Sequence, residues 1–122
     1  MYDAGALGAA ERHDRKLWAD HRVRLEAGVV PLVLAPVVGK LSGSPRQANL
    51  QRLLRGCEII PLDESMAHAV GRLLGRSGTV DIVDATVVTV AVRRRARIVT
   101  GDRRDIARLG NSAGLRLDII DV

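Results

Sequence analysis

Aromatic residues are almost missing from this sequence. They make up 2% of its 122 residues, and none is Phe. A core must then be built from Val, Leu, Ile and Ala, which favours helices packed on a Val- and Ile-rich sheet over an aromatic-cornered sandwich. Cysteine is as scarce: Cys57 stands alone, so no internal disulfide can form, and no Cys/His cluster suggests zinc. Its expected role is that of a small buried hydrophobe just before a strand. Long apolar runs are also missing. The longest, AGVVPLVLAPVVG (27–39), is too short to span a bilayer and is cut by Pro31 and Pro36. No signal-peptide pattern is present, so a soluble cytoplasmic protein with no membrane partner is expected. There is no internal repeat and no low-complexity linker, and the length suits one domain over residues 1–122.

What is present is a 47% hydrophobic chain with a net charge of +5 and a pI of about 10.6. Lys occurs only at positions 16 and 40, so nearly all the positive charge is Arg. Guanidinium forks suit phosphate recognition, which makes a nucleic-acid partner plausible. An Arg-rich but otherwise ordinary soluble surface has the same composition, and charge alone does not separate the two.

The apolar spacing predicts short strands alternating with helices. GALGAAER after Asp3 and DRKLWADHRVRLEAG (14–28) read as helices, the second closed by Gly28. A strand is expected at 29–35 and a brief helix at 36–42. Ser44 is expected to cap a further helix, with Pro45 as its first residue and Gly56 as its stop. A strand at 57–62 precedes a helix capped by Asp63 and ended by Gly75. Residues 81–96 read as a long helix, 97–101 as a strand, 102–110 as a helix and 115–122 as a last strand. This alternation indicates an α/β fold with a mainly parallel, twisted sheet of four to five strands flanked by helices in three layers. The first strand is stunted, because only Met1 and Tyr2 precede Asp3.

The carboxylates carry the chemical signal. Residues advance about 100° each around a helix, so in TVDIVDATVV (79–88) Asp84 shares a face with Val87, Val88 and Ala91. Thr86, Thr89 and Arg93 fall on the opposite face, expected to be polar. Asp81 is well placed as a helix cap. Asp84, projecting from the apolar stripe, needs a cation, a donor set or a water-filled pocket. Asp102 stands where a strand gives way to a helix, with Asp105 three residues later. In open α/β sheets ligands bind beyond the carboxyl ends of the strands. Asp3, Asp81, Asp84 and Asp102 are candidates for that edge, and a shared divalent cation would neutralise them. Hard oxygen ligands suit Mg²⁺ or Mn²⁺, which can activate water at a phosphodiester.

YDAGAL, GTVDIVDA and RIVTGDRRDI together resemble the three acidic blocks of PIN-domain ribonucleases, most closely the VapC-type toxins of bacterial toxin–antitoxin pairs. VLAPVVGKLSGSPRQANLQRLLRGCEIIPLDE also looks like a subfamily within that group. The resemblance spans nearly the whole chain. It implies a parallel sheet flanked by helices and an acidic cluster that holds Mg²⁺ or Mn²⁺ for RNA cleavage. By position Asp3 matches the first acid, Asp81 and Asp84 those of the third block, and Asp102 the last. Asp3, Asp84 and Asp102 are then the main metal ligands, with Asp81 assisting and Asp105 as a capping or supporting residue. It also implies an antitoxin partner whose tail enters the active-site groove, and a homodimer.

The sequence departs from the family pattern twice. Lys40 falls where an acid is often found, and Gly5 where Ser or Thr is usual. Glu11 is near enough in sequence to offer a compensating charge, although a solvated helix surface explains it as well. Lys40 favours a second possibility: a weak or inactive PIN-fold module that binds antitoxin or RNA. A phosphate-accepting receiver domain also clusters Asp at strand ends, but its paired acids and final Lys are not evident. Arg46, Arg103 and Arg104 are candidate RNA contacts. RRRAR (93–97) could line the same path for RNA phosphates, although a solvated helix end suits it somewhat better. Arg46, Arg52 and Arg55 share one helix and could meet RNA or an acidic protein segment. His13, His21 and His68 have no metal spacing, and Trp18 reads as a packing anchor. No aromatic platform exists for stacking bases, so RNA binding would depend on charge and salt.

Overall fold

Aspartates start most of the helices. A computed structural model describes residues 1–43, 45 and 47–122, with helices α1 (Ala4–Glu11), α2 (Arg15–Glu26), α3 (Ala35–Leu41), α4 (Ala48–Leu54), α5 (Glu64–Ser77), α6 (Ile82–Arg94) and α7 (Arg103–Ser112). Asp3, Asp14, Asp63, Asp81 and Asp102 each precede one of these helices and accept a backbone N–H three residues on, at 2.8 to 3.2 Å. Each such cap satisfies a donor that the first turn leaves open and is worth about 1 kcal/mol. No helix among the described residues is long and apolar enough to cross a membrane.

The strands are β1 (Leu32–Leu34), β2 (Glu58–Ile60), β3 (Ile98–Thr100) and β4 (Ile119–Asp121). β1 pairs with β2 and β3 with β4, both parallel. Tyr2 joins the two halves by parallel bridges to Val33 and Val99. Its N–H donates to the Leu32 carbonyl at 2.9 Å, the Asp3 N–H donates to the Val99 carbonyl at 3.1 Å, and the Val99 N–H donates to the Met1 carbonyl at 2.7 Å. The stunted first strand is thus the centre of the sheet, whose order is β2, β1, Tyr2, β3, β4. The expected α/β architecture with a parallel sheet is what forms, but the strands are shorter than their apolar runs. Val29 and Val30, expected in a strand, are exposed. Residues 115–118 are also outside β4, and the Leu117 side chain packs over Gly110 instead.

Helices α1 to α4 pack around α1, and α5 to α7 pack around α6, with α3 meeting α6 between the two groups. The core contains Leu7, Leu17, Val33, Leu34, Leu53, Leu73 and Ile98, as the scarcity of aromatics requires. Tyr2 is fully buried, and its hydroxyl lies 2.8 Å from His21 Nδ1 and accepts from Arg24 at 3.2 Å. Burial pushes the His21 pKa down. His21, expected to be an ordinary helix residue, therefore ties α2 to the central strand. Trp18 is the packing anchor expected: its indole N–H donates to the Ala10 carbonyl, and the Arg52 guanidinium stacks 4.2 Å from its ring centroid. Cys57 is half-buried just before β2, and burial pushes its thiol up to about 11.

Three local expectations are corrected. Thr86 and Thr89 do not lie on a polar face. Both are buried, because α6 is enclosed from Ala85 to Ala91, and the Thr86 hydroxyl donates to the Ile82 carbonyl at 2.6 Å. Gly75 does not stop α5, which runs on to Ser77 and ends at Gly78. Gly78 takes the left-handed φ of 72° that only glycine adopts cheaply, and its N–H donates to the Leu74 carbonyl. Pro45 does not begin a helix, since α4 starts at Ala48 behind Gln47. The Ser44 cap and the Arg46 contact lie outside the described residues.

Gly5 has a different reason from a lost hydroxyl. A Cβ there would stand 2.8 Å from the Gly101 nitrogen and 2.9 Å from its Cα, so the start of α1 and the turn after β3 touch backbone to backbone. Backbone on both sides cannot rotate away. Gly5→Ala should therefore cost stability by about 1–3 kcal/mol, the usual range for overpacking. Urea denaturation reads this as a lower midpoint, and an unchanged midpoint would show that the turn gives way freely.

Candidate active site

Three capped helix starts, at Asp3, Asp81 and Asp102, bring their carboxylates to the carboxyl-edge side of the sheet. Asp3 follows the bridged Tyr2 directly and is only 3% exposed. One of its oxygens accepts the Ala6 N–H at 2.8 Å, and the other accepts the Thr100 hydroxyl. The Thr100 oxygen in turn accepts the Asp102 N–H at 2.8 Å. Burial raises the Asp3 pKa, opposed by the Thr100 hydroxyl and by the backbone of Ala6, Gly101 and Gly5. Thr100 thus couples the ends of two elements, a role that sequence reasoning did not assign. Its signal was a hydroxyl residue closing the apolar run Ile98–Val99, immediately before Gly101 and Asp102.

Asp84 sits half-buried in the first turn of α6. Burial holds its carboxyl up at about 6, reinforced by the charges of Asp81, Asp3 and Asp105 and opposed by Lys40. The burial problem seen in the sequence is real, and Asp3 shares it. Asp81 spends one oxygen on the α6 cap, while the other lies 4.0 Å from the Lys40 ammonium. Lys40 therefore does not turn away from the acids. Asp102 is exposed and caps α7, and it is not among the charges that shift Asp84. Asp105 does act on Asp84, and it lines a cleft of about 460 Å³ with Asp81, Asp84, Thr79, Arg108 and Ser112.

The other candidates lie elsewhere or are occupied. Glu11 ends α1 while Asp3 begins it, about 12 Å apart at 1.5 Å per residue, and it is not among the charges acting on Asp84. Arg103 donates to the Asp121 carboxylate at 2.9 Å and to the Ile119 carbonyl at 2.8 Å, tying α7 to β4. Arg104 is exposed. Arg108 was not singled out from the sequence, although its place three residues after Asp105 puts both on one face of a helix.

The donor set is hard oxygen throughout, which fits Mg²⁺ or Mn²⁺ and not a soft metal. Among the described residues no three acidic, His or Cys groups stand close enough to enclose an ion directly. Mg²⁺ commonly keeps several waters and takes one or two carboxylates, so a hydrated ion is the species that this arrangement suits.

The PIN domain family model matches residues 3–111, which include all of these acids. The chain belongs to the PIN domain family. Among solved structures, this PIN domain is similar to the crystal structure of VapBC2 from Rickettsia felis bound to a DNA fragment from their promoter. The TM-score is 0.78 at 18% identity, over 100% of this chain and 97% of that one. That likeness establishes the shared fold. No curated protein matches the sequence.

The Asp84 environment has a measurable consequence for this PIN domain. Its folded pKa of about 6 lies above its ordinary value of 3.8. Ionisation is then harder in the folded than in the unfolded chain. The penalty is absent below about pH 4, grows as pH rises, and is complete above about 6. In chelator-treated protein, Asp84→Asn should unfold at higher denaturant than wild type at pH 7 to 8, and the two should converge near pH 4. Parallel curves across that range would contradict the electrostatic account.

Proposed function

We propose that this PIN domain is a Mg²⁺- or Mn²⁺-dependent endoribonuclease, the toxin of a type II toxin–antitoxin pair. The observation that carries this reading is the half-buried Asp84 carboxyl, held up at about 6 among Asp81, Asp3 and Asp105 at the edge of a cleft. A cluster of acids that destabilises itself when ionised calls for a divalent cation. Asp3, Asp84 and Asp102 would hold that ion, directly or through water. Bound there, it would supply positive charge to the phosphodiester and acidify water.

The chain's own residues do the rest. The Thr100 hydroxyl and the Ala6 N–H fix Asp3 so that its carboxylate cannot swing away. Asp81, immobilised by its cap, orients water on the cleft side of Asp84. Asp105 adds negative charge at the cleft wall. The chain's net charge of +5, despite its acidic cluster, suits an RNA substrate. The likeness to VapBC2 supports an antitoxin partner. The resemblance of the acidic blocks to VapC-type toxins implies a homodimer, and the site of action would be the cytoplasm.

The test compares RNA cleavage with Mg²⁺, with Mn²⁺ and with chelator, in wild type and Asp84→Asn. Wild type should cleave only with metal, and the variant should lose more than the roughly 10–100-fold that removal of an outer-shell partner costs. Equal cleavage by both proteins would sink the assignment.

One observation favours a second function: the Lys40 ammonium 4.0 Å from Asp81 competes with a metal for the same charge. The chain would then be a weak PIN-fold module that binds antitoxin or RNA. Lys40→Glu separates the two. An impaired natural site predicts that the substitution tightens Mn²⁺ binding in calorimetry and raises cleavage by up to about fivefold, since an ion pair this exposed is worth about 0.2–1 kcal/mol. A competent natural site predicts that cleavage does not rise.

A further inference from the structure

The cleft beside the acids has a second, oppositely charged part. Asp105, Arg108 and Ser112 recur on one face of α7 and line the same cleft as Thr79 and the α6 acids. At 1.5 Å per residue, Arg108 stands about 4.5 Å further along the helix axis than Asp105. Arg108 is exposed, and no ion pair or hydrogen bond holds it among the described residues, although three carboxylates line its cleft. Lys40 is engaged with Asp81, and Arg103 with Asp121.

The hydroxyls of the cleft differ in what they can offer. Ser112 donates to the Leu109 carbonyl at 2.9 Å, and Ser77 donates to the Leu74 carbonyl at 3.5 Å. The Thr79 oxygen accepts the Asp81 N–H at 3.3 Å, which leaves its proton for an acceptor in the cleft. The donors available to a ligand are therefore the Arg108 guanidinium and the Thr79 hydroxyl. A guanidinium fork matches two phosphate oxygens.

We propose that Arg108, assisted by Thr79, is a positioning residue that grips an RNA phosphate adjacent to the one cleaved beside Asp84. The inference rests on the nuclease reading above. Three carboxylates along the cleft repel a small free anion. A strand whose scissile phosphate is neutralised at the acidic end presents its next phosphate to the donor end. The subsite thus selects a polyanion over inorganic phosphate, and it contributes to binding more than to the chemical step.

The experiment measures steady-state cleavage of an RNA oligonucleotide with Mn²⁺ at several KCl concentrations. The proteins are wild type, Arg108→Gln, Arg108→Lys and Arg15→Gln, the last an exposed change on α2. Arg108→Gln should raise KM by about 10-fold with kcat within about twofold, as expected for loss of a hydrogen bond to a charged group. It should also flatten the salt dependence of log kcat/KM by about 0.7, one contact on a single strand. Arg108→Lys should recover part of KM, and Arg15→Gln should match wild type. Mn²⁺ affinity and the thermal midpoint should be unchanged in Arg108→Gln. Wild-type KM and salt slope in Arg108→Gln would overturn the subsite alone. A fall in kcat with weaker Mn²⁺ binding would also overturn it, by placing Arg108 with the acids. No cleavage by wild type would overturn the nuclease reading and this inference together.

Discussion

The structure depends on one buried carboxylate. Asp3 lies at the joint where Tyr2 bridges the two halves of the sheet, and it is held there by the Ala6 N–H and the Thr100 hydroxyl. A buried carboxylate without partners would be costly. Here its hydrogen bonds come from the start of α1 and the end of β3, so the groups that stabilise Asp3 also fix the sheet edge. The close approach of Gly5 to Gly101 brings those two backbone segments together. Stability at this joint and geometry at the acidic cluster are thus one arrangement.

The same economy applies to the helix caps. A carboxylate has two oxygens, and a cap uses one. Asp81 gives one oxygen to the Asp84 N–H and turns the other towards Lys40. Caps therefore immobilise acids without consuming them. The cost is concentrated on Asp84, which has burial and three like charges against it and one ammonium in its favour. This imbalance is a reason to bind a cation, and Lys40 is the chain's own partial answer to it.

Much of this was legible in the sequence because caps and alternation are local. Aspartate before an apolar run marks a helix start by the chemistry of one turn, and Asp3, Asp63, Asp81 and Asp102 all obey it. The helical projection also found Asp84, because a charge on an apolar stripe is visible in one dimension. The remainder required neighbours. Thr86 and Thr89 were assigned to a polar face, since periodicity does not say that α5, α7 and α3 all pack on α6. Gly75 and Gly78 are both glycines, and only the folded backbone shows which one takes positive φ. Thr100 belongs to the site through contacts across elements, which spacing within one element does not encode.

The central claim is that the acids converge to bind one kind of partner, a hydrated divalent cation. The most direct test is a crystal of the wild-type protein soaked in Mn²⁺ and measured for anomalous scattering. The account predicts a peak bounded by Asp3, Asp84 and Asp102, with Lys40 displaced from Asp81. No peak at high Mn²⁺, with the Lys40–Asp81 pair intact, would contradict it.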